Sequence, residues 1–138
     1  ANPTNMPTIL KFEELEIWKK ARTLSFMIFQ ITRKEIFSKE YKFKEQIKSS
    51  AGSIMDNIAE GFERSSRLEF VNFLGIAKGS CGEVRSQLYR ALDQEYISAI
   101  EFNEVNSQYE QLSARIAAFI KYLNQSPVKG QKFRGREP

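Results

Sequence analysis

Ser50-Ala51-Gly52-Ser53-Ile54-Met55-Asp56-Asn57-Ile58-Ala59-Glu60-Gly61 is the stretch whose reading decides the fold. Taken with Gln46, its polar residues Ser50, Ser53, Asn57 and Glu60 step by four, three, four and three. That spacing sets them on one face of an α-helix. Ile47, Ala51, Ile54 and Ile58 keep the same rhythm and form an apolar stripe beside it, so the helix has a core side and a polar side. Gly61 stands where a glycine commonly closes a helix C-terminus. The spacing predicts a helix over about 43–62.

Working outward, three further helices follow. The first is expected over about 12–34, with Glu13, Glu14 and Glu16 in its opening turns, where acids suit the dipole. Ile17, Ala21, Leu24, Ile28 and Ile31 make its core stripe, but Leu15, Trp18, Phe26, Met27 and Phe29 spread around it. A helix apolar on two sides wants a second partner. Trp18, Phe26 and Phe29 are therefore read as a subunit contact, with cover by the bundle or the tail as the alternative. Residues 35–43 lack periodicity and read as a crossover. Ser66-Arg67-Leu68-Glu69 is a capping box that opens a helix carrying Phe70, Leu74, Ala77, Cys81, Val84, Leu88 and Ala91. Ser98-Ala99-Ile100-Glu101 is a second box, ahead of Phe102, Val105, Tyr109, Leu112, Ile116, Phe119 and Leu123 at heptad spacing. Pro127 and two later glycines stop that helix. Four helices with short connections imply an all-α, antiparallel four-helix bundle over 12–124. A flexible extension (1–11) precedes it and a disordered basic tail (125–138) follows.

Gly75, Gly79 and Gly82, extended by Asn72 and Ser86, share one face of the third helix. Each interior glycine costs about 1 kcal/mol against alanine, so a compensating close approach is expected, with the Ser/Asn stripe of the second helix as the partner. Gln46, Ser50, Ser53, Asn57, Glu60, Gly61, Ser80 and Glu83 then form a polar network along that seam. Such a network either fixes helix register or lines a groove that grips a ligand; the residues leave both open.

The stretch 50–61, the later Glu69-Phe70-x-x-Phe73-Leu74-x-Ile76-Ala77-Lys78-Gly79-Ser80-x-x-Glu83 and the leading Phe12-x-x-Leu15-x-Ile17-Trp18-Lys19 together resemble one family. It comprises the small four-helix-bundle proteins encoded in intervening sequences of bacterial 23S ribosomal RNA genes, to which the accessory protein of diversity-generating retroelements is similar. The resemblance spans about residues 12–123 and implies a ring-shaped homo-oligomer, a pentamer. It carries no catalytic role across.

Composition narrows the chemistry. A chain of 138 residues fits one domain. It has one cysteine and no histidine, which excludes an internal disulfide, Cys/His zinc sites, Glu-x-x-His di-iron sites and His-activated nucleophiles. No phosphate-cradling glycine loop occurs, and Glu60 and Glu83 read as network members rather than an acid/base pair. No enzyme, metal or cofactor is expected. With no apolar run of about 18 residues and no basic, apolar leader, a cytoplasmic protein is expected, without membrane contact.

The net charge is +4. Beyond Gln125 lie Lys129, Lys132, Arg134 and Arg136 against Glu137, a net of +3. Phe133 among those cations suits base stacking. Lys42, Lys44 and Lys48 open the second helix, and Arg64 and Arg67 flank the turn after it. These ten residues are the candidate contacts with RNA or DNA. The expected function is a non-enzymatic, homo-oligomeric scaffold binding RNA, other nucleic acid or an RNA–protein complex by charge and shape. The alternative is a scaffold for another protein, such as a reverse transcriptase or a ribosome-associated factor, without direct nucleic-acid contact.

Overall fold

The computed structural model describes residues 8–125 and 135–138; the described residues form helices and loops, with no strand. A 3-10 turn (Phe12–Glu14) leads into α1 (Glu16–Thr32), a one-turn α2 (Glu35–Ser38), α3 (Tyr41–Glu63), α4 (Arg67–Asp93) and α5 (Ala99–Asn124). Helix α3 packs on α1 and α4, and α5 packs on α4 and α1, while the Cα atoms of the pairs α1/α4 and α3/α5 do not come within 8 Å of each other. The four long helices thus stand at the corners of a square. Connections of a few residues send successive members in opposite directions.

Each apolar stripe points inward. Ile17, Ala21, Leu24 and Ile28 of α1, Ile47, Ala51, Ile54 and Ile58 of α3, the seven-residue stripe of α4 and that of α5 are all buried in one core. Burying a side chain of this size contributes about 1.5–3 kcal/mol, which explains why the spacing alone carries the helix assignments. Phe37 of α2 is fully buried and stacks on Phe43 at 5.3 Å, plugging one end of the bundle.

The helix ends are closed in different ways. Ser98 Oγ accepts the Glu101 amide (3.1 Å) and Glu101 accepts the Ser98 amide (2.9 Å), a complete capping box. Ser66 accepts the Glu69 amide at 3.2 Å, but the Glu69 carboxylate takes the Ser65 and Ser66 hydroxyls instead of closing the box. At the other end of α4, Tyr96 N–H reaches Ala91 O and Glu95 N–H reaches Leu92 O. This is a Schellman closure with Glu95 at φ 62, a position that favours glycine.

Three expectations fail here, each for a packing reason. The first helix breaks at Leu15, whose backbone is extended so that its side chain can be fully buried. Gly61 does not end α3, which continues to Glu63. It is a close-approach glycine, since a Cβ there would lie 2.6 Å from Phe73 Cβ and 3.1 Å from Phe70 Cδ1. The glycines of α4 do not meet α3: a Cβ at Gly75, Gly79 or Gly82 would meet nothing within 4 Å. The core stripe of α4 already faces its neighbours, and the glycine face turns outward.

Residues 8–11 and 135–138, described parts of the expected flexible extension and disordered tail, have defined contacts; residues 1–7 and 126–134 lie outside the described residues. Leu15 is the N-cap of α1 and has no side-chain acceptor. The Glu137 carboxylate supplies one, accepting the Glu16 amide and the Ile17 amide (2.9 Å). Gly135 O accepts the Ile9 amide at 3.2 Å, and Arg115 of α5 lies 3.8 Å from Glu137. The last four residues are therefore docked across the start of α1. Lys129, Lys132, Phe133 and Arg134 lie outside the described residues.

Candidate nucleic-acid interface

The polar seam between α3 and α4 comes together only in part. Ser53 Oγ meets Ser80 Oγ at 3.1 Å, and Asn57 Nδ2 donates to Ser53 Oγ (3.0 Å) and to Ser53 O (2.8 Å). Ser50 turns back to its own helix, donating to Gln46 O at 3.1 Å. Gln46 Oε1 accepts from Arg90 Nη1 at 3.4 Å. Glu60 leaves the seam to pair with Arg64 at 3.1 Å. Glu83, expected in the network, is exposed and makes no hydrogen bond or ion pair among the described residues. Three residues joined across two helices form a register peg.

The expected cations do not form one patch either. Lys42, Lys44 and Lys48 sit in the first turns of α3, whereas Arg64 follows its last residue. At 1.5 Å per residue the three lysines lie about 24–33 Å from Arg64 along the helix. Arg64 lies over the Phe73 ring (4.9 Å), and Arg67 is half-buried in the first turn of α4. Arg136 is half-buried in the docked chain end. Lys44 rests over Tyr41 at 5.2 Å.

What the fold assembles instead lies along α1. Lys48 reaches from α3 to within 5.7 Å of the Phe29 ring centre, and Arg33 covers the same ring at 5.7 Å. Arg22 lies over Trp18 at 5.6 Å. Phe26 and Phe29 stack on each other at 5.9 Å and are 57% and 39% exposed. Trp18 is half-buried against Phe12, edge to face at 5.1 Å. Of the three aromatic residues expected to contact another subunit, Trp18 and Phe29 thus lie beneath cations, and Phe26 stacks on Phe29 with its surface open. Arg22 and Arg33 were not among the sequence candidates. Their signal was present, because Trp18, Arg22, Phe26, Phe29 and Arg33 step by four, four, three and four, with no acid between Ile17 and Lys34.

Charge divides the same way. Residues 17–48 hold nine Lys and Arg against three Glu, a net of +6. Residues 49–125 hold seven Lys and Arg against ten Asp and Glu, a net of −3. The near-neutral body is thus a basic half joined to an acidic one.

Elsewhere, burial and local partners shift a few ionisable groups. Burial pushes the Cys81 thiol up to about 12, so it stays protonated and unreactive. The Lys34 ammonium, 2.6 Å away, and the Ser98 amide hold the Glu101 carboxyl below its ordinary range. Burial raises Glu137 against the opposing pull of the Glu16 and Ile17 amides. Tyr109 OH and Gln87 Oε1 are buried without a hydrogen-bond partner among the described residues.

The model of the 23S rRNA-intervening sequence protein family matches residues 13–118. The chain belongs to that family. A solved relative is a protein of unknown function from the S23 ribosomal protein family of Bacteroides thetaiotaomicron. It is 26% identical, with a TM-score of 0.70, over 76% of this chain and 98% of that one. No curated protein matches the chain. No described helix of this family member is long and apolar enough to cross a membrane.

Proposed function

We propose that this 23S rRNA-intervening sequence protein is a non-enzymatic, homo-oligomeric scaffold that binds RNA, or an RNA–protein complex, by charge and shape. The observation that carries the reading is the net charge of +6 over residues 17–48. Phosphate is recognised by such clustered Lys and Arg through counterion release, with affinity that falls as salt rises. The family's own description, which ties it to an intervening sequence of 23S rRNA, points to the same ligand class. Self-association into a ring, with five subunits as the resemblance implies, would repeat the basic face and multiply weak contacts by effective concentration. The outward glycine face of α4 supports such assembly, because it is uncharged and admits close backbone approach. The α1 aromatics are the poorer self-contact, since Arg22 covers Trp18 and both Arg33 and Lys48 cover Phe29, so that close packing there would bury cations.

The test is binding of the full chain to a structured RNA and to duplex DNA across a salt series. The expected result is a linear fall of log affinity with log salt, with a slope equivalent to several phosphate contacts. Absence of binding at low salt overturns the reading and leaves a scaffold for another protein. The tail is tested by Lys129→Gln, Lys132→Gln and Arg134→Gln together. Truncation at 125 would also remove the Glu137 cap from α1 and confuse charge with folding.

A further inference from the structure

The outer face of α1 is an alternation of ring and cation. Trp18, Arg22, Phe26, Phe29 and Arg33 run along it, with Lys48 of α3 set against Phe29. At 1.5 Å per residue the row is about 22 Å long. Neither Arg22 nor Arg33 meets a carboxylate among the described residues, while the nearby Glu16 and Glu45 pair with Lys19 and Lys48, both at 3.4 Å. Phe26, the ring with the most open surface, lies between the two arginines, one helical turn from Arg22 and two from Arg33. Lys19, Met27 and Met55 help line the shallow groove that the row borders.

The geometry points to this row as a platform for unpaired RNA bases: Phe26 and Phe29 stack on successive bases, and Arg22, Arg33 and Lys48 hold the flanking phosphates. The assignment rests on the RNA-binding reading above and deepens it by naming the site and the form of RNA. The occupant must be anionic, because the row is cationic and lacks free carboxylates. It must also present flat apolar faces, because two exposed phenyl rings gain nothing from phosphate. A duplex hides its bases in the stack and offers the row only its backbone, whereas a single strand offers both. A second copy of the chain in a two-fold contact would set Arg22, Arg33 and Lys48 against themselves, and a copy in the heterologous contact of a ring would bury these cations, an occupant that a measurement of oligomeric mass detects.

Trp18 is the sole tryptophan and lies beneath Arg22, so its emission reports occupancy of the row. The full chain is titrated with an oligouridylate of about 12 nucleotides and with a blunt RNA duplex of equal length, and oligomeric mass is measured by light scattering. The single strand is expected to perturb Trp18. Phe26→Ala with Phe29→Ala should weaken oligouridylate binding by about tenfold or more while the salt slope stays unchanged. Phe26→Tyr with Phe29→Tyr should retain affinity. Arg22→Gln with Arg33→Gln should instead reduce the salt slope by about 1.4, two contacts at about 0.7 each for a single strand. Both rings are exposed, so the alanine variant is expected to fold as the parent does. The inference is overturned if the double-alanine variant binds oligouridylate as the parent does, or if its oligomeric mass falls, which would make the row a contact between copies. Failure of the broader reading is distinguishable: no RNA, duplex included, would bind at low salt.

Discussion

Helices α5 and α1 start in opposite ways. Helix α5 is closed by its own neighbours, with Ser98 and Glu101 exchanging two hydrogen bonds three residues apart. Helix α1 begins at a leucine that cannot cap it, and its first amides are satisfied by Glu137, separated by about 120 residues of chain. The difference extends to charge and surface. The half containing α4 and α5 is acidic and turns a single apolar stripe inward. The half containing α1 is basic and exposes aromatic rings beneath cations. An element closed locally is settled by a few adjacent residues. One closed from the far end of the chain couples its geometry to tertiary docking, and here the coupled helix is the one that carries the candidate RNA row.

The largest expected effect tests the packed seam beside α4. Gly61→Ala places a Cβ 2.6 Å from Phe73 Cβ and should lower stability by about 1–3 kcal/mol, read by chemical denaturation. Gly79→Ala, where a Cβ meets nothing of its own subunit, should instead raise the stability of the single subunit by up to about 1 kcal/mol. Equal effects at the two glycines would erase the distinction between packed seam and bare face. Next comes the remote cap. Glu137→Ala should cost about 1 kcal/mol and speed hydrogen exchange at the Glu16 and Ile17 amides, leaving the start of α5 protected. Uniform exchange at both helix starts would show that α1 does not depend on the chain end. Within α5, Tyr109→Phe removes a buried hydroxyl with no protein partner and should be neutral or stabilising by about 1 kcal/mol.

The smallest effect is in pH, and it has opposite signs at the two caps. Glu101 is held below its ordinary range, so its contribution is complete above the ordinary carboxylate pKa and is lost as pH falls through the lowered one. Glu137 is raised, so docking of the chain end is strongest below the ordinary carboxylate pKa and weakens as pH rises through the raised one. Amide protection at Ser98 should fall as pH drops below the ordinary carboxylate value (about 4), whereas protection at Ile17 should fall as pH rises above it. Parallel changes would contradict the two environments.

Much of this was legible because burial imposes period. The stripes of Ile47 to Ile58, Phe70 to Ala91 and Phe102 to Leu123 needed no partner to be recognised, since only one helix face can enter a core. The seam was half legible. Ser53, Asn57 and Ser80 met as expected, but a spacing rule could not say that Glu83 faces water or that Glu60 prefers Arg64. Gly61 was misread because helix closure and close approach both select glycine. At Arg22 and Arg33 the candidate RNA face was legible only in the spacing with Trp18, Phe26 and Phe29, because which charges share a surface depends on helix face and not on segment totals.

By itself the sequence determined the helices, their core faces, the local caps at Ser66 and Ser98 and the absence of histidine chemistry. These follow from residue type and spacing within a few turns. Only the tertiary structure decided that Glu137 closes α1, that Lys48 joins Arg33 over Phe29, and that the glycines of α4 face outward. Each of these depends on how whole helices are rotated and placed. That is set by the packing of the core as a unit, which no short stretch of sequence contains.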